Sequence, residues 1–167
     1  MSRWQWKHFA ELTLDELYSV LALRQEVFVV EQRSIYLDAD GLDREAAHLL
    51  AFEDAEGAPF LAAYLRVLPP GVKFPGASSL GRVVTAPRAR GRGLGREVVE
   101  RGIARLDAEY PGTPIRISAQ HYLQRFYESV GFHAEGDVYD EDGIPHIEMV
   151  RPRQARAPTL HGPGPTP

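Results

Sequence analysis

Apolar residues recur along this chain in two rhythms, and the switch between them marks out the elements. At the amino end Trp4, Trp6 and His8 alternate with Gln5 and Lys7, the step of two that a short strand over residues 4–9 requires. After Thr13 the step lengthens to three and four, through Leu14, Leu17, Tyr18, Leu21 and Phe28, which predicts a helix reaching about Val30. Thr13 and Glu16 have the spacing of a capping box, each side chain placed to receive the other's backbone N–H. Arg24 falls on or beside the apolar face. A covered arginine needs an acidic partner, because an unpaired buried charge is costly.

Residues 48–53 and 60–68 are apolar runs flanking Asp54-Ala55-Glu56-Gly57-Ala58-Pro59, which is hairpin chemistry. A Pro/Gly-rich connector over residues 68–76 leads into a strand at 78–85, giving three adjacent antiparallel strands. The helical step returns with Val98, Val99, Ile103, Leu106 and Tyr110, and Pro111, Gly112 and Pro114 stop it. Residues 115–119 read as a short strand, parallel to the one at 78–85 if the helix is a crossover. Leu123, Phe126, Tyr127 and Val130 form a further helical face, with Gly131 as a left-handed cap. Strands from Phe132 onward and over 144–150 complete the pattern. Residues 153–167 carry almost no apolar periodicity and are expected to be a disordered tail.

Composition narrows the picture modestly. A chain of 167 residues, 44% hydrophobic and 25% charged, is an ordinary globular chain of one domain that buries roughly two-thirds of its unfolded surface. The net charge of −4 argues against a nucleic-acid partner. The absence of cysteine removes disulfides, thiolate metal ligands and a cysteine nucleophile. No apolar run reaches membrane-spanning length, and Met1-Ser2-Arg3-Trp4 does not open a secretion signal. A cytoplasmic protein with no membrane partner is expected.

The chemistry concentrates between the strand at 78–85 and the helix that follows. There Arg88-Ala89-Arg90-Gly91-Arg92-Gly93-Leu94-Gly95-Arg96 joins glycines that let a backbone curl, a helix start with unpaired N–H donors, and four arginines. That combination is built to hold a phosphate. The competing reading is an arginine-rich surface turn that binds nothing. A P-loop would need Gly-Lys-Ser/Thr, and a dinucleotide loop a third glycine where Arg96 or Val98 stands; both are excluded. The aspartates at 38, 40 and 43 do not form a calcium loop, because Leu42 and Leu49 occupy positions that need ligands. No metal is expected. Those aspartates are a solvated loop, or face Arg24, or point into an acceptor pocket.

Arg90-Gly91-Arg92-Gly93-Leu94-Gly95 resembles the Arg/Gln-x-x-Gly-x-Gly/Ala signature of the GNAT acyl-CoA N-acyltransferases. Phe126-Tyr127-Glu128-Ser129-Val130-Gly131-Phe132 resembles the same family's Phe-Tyr-x-x-x-Gly-Phe. The segments Val27-Phe28-Val29-Val30-Glu31-Gln32 and Asp142-Gly143-Ile144-Pro145-His146-Ile147 are similar to its ElaA-like branch. The likeness covers about residues 5–152. Arg24-x-x-x-Phe28 with its acidic loop is also similar to the acyl-homoserine-lactone synthases, although the ordinary coenzyme A loop tells against one. The resemblance implies an α/β (α+β) GNAT fold in residues 1–152. Its mixed, mostly antiparallel sheet would have about six or seven strands, a splayed strand pair and about four helices.

The implied activity is transfer of an acyl group, acetyl in the first instance, from acetyl-CoA to an amine acceptor by direct attack in a ternary complex. The alternative is a non-catalytic acyl-CoA-binding module. A monomer or homodimer is expected. By the resemblance, the loop from Arg90 to Arg96 grips the coenzyme diphosphate, and the backbone of Val83, Val84 and Thr85 pairs with the pantetheine arm. The Val84 amide is the expected oxyanion donor. Tyr127 is the expected general acid, protonating the departing thiolate; its competing role is as a core aromatic. Glu31, His121 and His146 remain open as general base, beside a water relay.

Overall fold

In the computed structural model, which describes residues 1–152, seven strands form two hydrogen-bonded sets. The first set is antiparallel in the order β1 (Arg3–His8), β2 (Ala47–Ala55), β3 (Ala58–Leu68), β4 (Ser79–Thr85). The second has the order β5 (Ile115–Gln120), β7 (Ile144–Arg151), β6 (His133–Glu141). A single parallel bridge, Ser78 to Ile115, joins them at the start of β4 and β5. Beyond it the two strands part, and this is the expected splayed pair. The tail at 153–167 lies outside the described residues.

The connections follow from turn chemistry. Glu56 and Gly57 both have positive φ, 53° and 80°, the two-residue turn whose twist suits a hairpin. Asp142 and Gly143 repeat this between β6 and β7 with φ of 53° and 82°. Helix α2 (Leu94–Glu109) buries Val98, Val99, Ile103 and Leu106, as its periodicity predicts, and packs on β3 and β4. Its approach is close: a Cβ on Gly102 would lie 2.8 Å from a methyl carbon of Leu65. The short α3 (Gln124–Glu128) is followed by a turn that reverses through Gly131 at φ 98°.

Helix α1 (Leu14–Arg24) has the expected capping box, with Glu16 N–H donating to Thr13 Oγ1 at 3.1 Å and Thr13 N–H to Glu16 at 2.8 Å. Its buried face differs from the expected one. Leu14 and Tyr18 are exposed, whereas Val20, Leu23, Arg24 and Val27 are buried. Two apolar stripes overlap on this helix, and the one containing a charged residue is the one that faces the core. Arg24 is fully covered because acidic partners meet it there. The helix then widens into a π-helical stretch, Gln25–Glu31.

Candidate active site

The loop after β4 presents its backbone outward. Gly91 and Gly93 have φ of 78° and 79°, a region L-residues enter only at a cost. Gly93 caps α2, and the helix's own bonding begins with Arg96 and Glu97, both donating to the Gly93 carbonyl at 3.1 Å. Among the described residues, the N–H groups of Gly91, Arg92, Gly93, Leu94 and Gly95 meet no acceptor. Five successive donors at the positive end of a helix form a cradle for an anion.

The parting of β4 and β5 opens a cleft of about 520 Å³ that runs from this cradle inward. Val83, Val84, Thr85, Arg90, Gly91, Gly93, Leu94 and Gly95 line it, as do Glu31, Tyr127 and His146. Three expected site residues keep their side chains out of the cleft lining. Arg92 bonds Glu53 at 2.7 Å, Arg96 bonds Ser129 at 2.7 Å and Glu100 at 3.3 Å, and His121 is exposed outside the cleft lining.

The register between β3 and β4 corrects one expectation. Ala86 N–H donates to the Ala62 carbonyl at 2.8 Å, and Thr85 and Val84 pair with Ala63 and Tyr64. Rungs of an antiparallel ladder alternate, so Val84 turns its N–H to the Tyr64 carbonyl and cannot serve as the oxyanion donor. The N–H groups facing the cleft are those of Val83 and Thr85. A bulge sets this phase: Tyr64 faces Val84 and Arg66 faces Gly81, leaving Arg82 and Val83 opposite the single Leu65.

Tyr127 lines the cleft at 6% exposure, wedged edge-on between Phe126 and Phe132 at centroid distances of 5.1 and 5.8 Å. Burial pushes its phenol well above the ordinary value, so it carries its proton at neutral pH. His146 lines the same cleft, and its Nδ1 meets the Ile144 carbonyl at 2.7 Å. A carbonyl only accepts, so Nδ1 carries a hydrogen, and in the neutral ring Nε2 is the nitrogen with the lone pair. Nε2 lies 3.6 Å from Glu141 Oε2, which accepts a hydrogen bond from Ser118 Oγ at 2.7 Å. Glu31 at the end of the π-helical stretch pairs instead with Arg90.

Arg24, Arg66 and Arg82 form a network with Asp38, Asp40 and Asp43. Arg24 donates through Nε to Asp38 at 2.7 Å and through Nη1 to Asp43 at 2.8 Å. Arg66 reaches Asp43 at 2.7 Å and Asp40 at 2.8 Å. Burial opposes the charge on Arg24, but the Asp43 hydrogen bond and both carboxylates raise its pKa above the ordinary arginine value. The aspartates therefore face arginines, one of the readings left open by the sequence; none of them lines the cleft. No group of three His, Cys, Asp or Glu among the described residues is arranged to hold a metal, and no described helix is long and apolar enough to cross a membrane.

Residues 43–152 match the family model described as an acetyltransferase (GNAT) domain. The chain belongs to the GNAT family. The ElaA protein of Escherichia coli is 38% identical over 153 residues, 90% of this chain and 97% of that protein, which places this GNAT chain in the ElaA-like branch. A UPF0039 protein of Synechocystis is 44% identical over 147 residues, 88% of this chain and 93% of its own length. The crystal structure of an acyl-CoA N-acyltransferase from Pseudomonas aeruginosa superposes with a TM-score of 0.82 at 46% identity, covering 90% of this chain and 99% of that one.

Sequence reasoning missed Glu141 and Ser118. For Glu141, only its place directly before the Asp142-to-Ile147 motif could have flagged it. Ser118 on β5 carried no signal at all.

Proposed function

We propose that this protein is an acyl-CoA-dependent N-acyltransferase that passes an acetyl group from acetyl-CoA to an amine by direct attack in a ternary complex. One observation carries the reading: a single cleft is lined both by the glycine loop with its unpaired backbone donors and by a buried, protonated phenol. The donors of Gly91 to Gly95 hold the coenzyme diphosphate, assisted by Arg90. The Thr85 backbone receives the pantetheine amides, and the Val83 N–H polarises the thioester carbonyl and takes the growing charge of the tetrahedral intermediate. The acceptor enters beside His146, whose Nε2 takes one proton from its ammonium group and so frees the amine lone pair to attack the thioester carbon. As the intermediate collapses, the C–S bond breaks, Tyr127 gives its proton to the departing sulfur, and the second proton shed by the new amide nitrogen restores the phenol. Glu141 holds the acceptor's positive charge before that transfer.

The test is thiol release from acetyl-CoA across a broad amine library, paired with calorimetric titration of coenzyme A. Turnover with at least one amine is the expected result. Coenzyme binding without turnover on any amine favours a non-catalytic acyl-CoA-binding module, and no binding removes both readings.

A further inference from the structure

The bulge that sets the phase of β4 contains a residue in an unusual conformation. Arg82 has φ 52°, the left-handed region that costs any residue with a Cβ and persists only where its surroundings impose it. Its side chain shows what imposes it. Arg82 Nε lies 2.8 Å from Asp38 Oδ1, and Nη2 lies 3.2 Å from both Asp40 Oδ2 and the Asp38 carbonyl. The guanidinium carbon sits 5.2 Å from the centre of the Tyr36 ring, and Tyr36 in turn donates to Asp38 at 2.8 Å.

These anchors do not give way, because each is held from its other side. Arg24 bonds both the carboxylate and the carbonyl of Asp38, and Arg66 grips Asp40 with two nitrogens. The next residue in the chain is Val83, whose N–H faces the cleft only because the bulge shifts the ladder by one residue. From these contacts we propose that Arg82 is a positioning residue. Its ion pairs to Asp38 and Asp40 hold a strained β4 backbone in the shape that aims the Val83 N–H at the thioester carbonyl. The proposal rests on the acyltransferase reading above for its catalytic consequence, but not for its structural one.

Alanine and glycine at position 82 separate this role from any other. Both remove the ion pairs, but glycine enters the left-handed region freely while alanine does not. Arg82→Ala is expected to lower kcat about 10- to 100-fold with the KM for acetyl-CoA changed less than about threefold. Arg82→Gly is expected to keep kcat within about threefold of the unaltered protein. The Val83 amide resonance in a proton–nitrogen NMR spectrum should shift in the alanine variant and return in the glycine variant. If the alanine variant does not fold, Arg82→Lys replaces it with the same ordering expected, since an ammonium lacks the fork that spans two aspartates. Equal impairment of the glycine and alanine variants, or an alanine variant with unaltered kcat and an unmoved Val83 resonance, overturns the proposal. Absence of turnover in the unaltered protein removes the acyltransferase reading alone, and the resonance comparison then decides the positioning claim.

Discussion

Glu31 Oε1 and Arg90 Nη1 meet at 2.9 Å, tying the end of the π-helical stretch to the glycine loop across the mouth of the cleft. Both side chains are 42% exposed, so the pair is a loose clasp of at most about 1 kcal/mol. While the pair is made, Glu31 occupies the guanidinium that would otherwise assist an anion in the cradle. Glu31→Gln is therefore expected to tighten coenzyme A binding by up to about fivefold in a calorimetric titration. Weaker binding would show that Glu31 orients Arg90 toward the diphosphate instead.

Tyr127→Phe removes the phenol and leaves the ring packing between Phe126 and Phe132. Turnover is expected to fall about 100-fold or more, with coenzyme A affinity kept within about twofold. Steady-state kinetics and titration of the same preparation check both halves. Normal turnover across the pH range would return Tyr127 to the role of a core aromatic.

The two histidines should behave differently. His146→Gln is expected to lower kcat/KM at neutral pH by about 100-fold and to recover as rising pH deprotonates the acceptor without help. His121→Gln, outside the cleft lining, is expected to leave the profile within about twofold. A reversed order would move the base to the turn between β5 and α3.

Arg24→Ala removes one buried arginine from both Asp38 and Asp43, leaving the first to Arg82 and the second to Arg66. Removing one partner of a buried ion pair costs about 3–5 kcal/mol, which for a chain of this size corresponds to a fall in Tm of about 10 °C. Thermal denaturation followed by circular dichroism measures it. An unchanged Tm would mean that water reaches the network.

Stability should decline with acidity in two stages. Burial depresses the His48 imidazole below its ordinary 6.5, outweighing the hydrogen bond to the Asp43 carbonyl. The unfolded chain thus takes a proton that the folded one refuses, and stability begins to drop as pH falls through that value. For Asp43, burial works upward, but the hydrogen bonds and charges of Arg24 and Arg66 hold the carboxyl below its ordinary 3.8. Asp40 is lowered likewise, against burial, by Arg66 and Arg82. Their contribution is present above that value and lost as pH falls through the depressed one. His48→Gln is expected to abolish the first stage and keep the second in a series of melting curves.

Much of this was legible in the sequence. The α2 face, the hairpin turns and the glycine loop are all local features, and local chemistry sufficed to place them. The buried face of α1 was not, because Arg24 makes its own stripe look polar until Asp38 and Asp43 are brought to it from the following loop. The direction of the Val84 N–H was misjudged for a related reason. Which backbone N–H faces the cleft depends on the β4 bulge, and Arg82 carries no local signal of a left-handed backbone. Glu141 became visible only when β6 and β7 were folded against β5.

The lone bridge between Ser78 and Ile115 leaves two strands lying side by side with their rims unfilled. On a molecule's exterior such rims invite other chains to add to the sheet and aggregate. Here they face each other, so the protein hides its stickiest backbone from its neighbours while keeping it available to a slender guest with amide groups of its own.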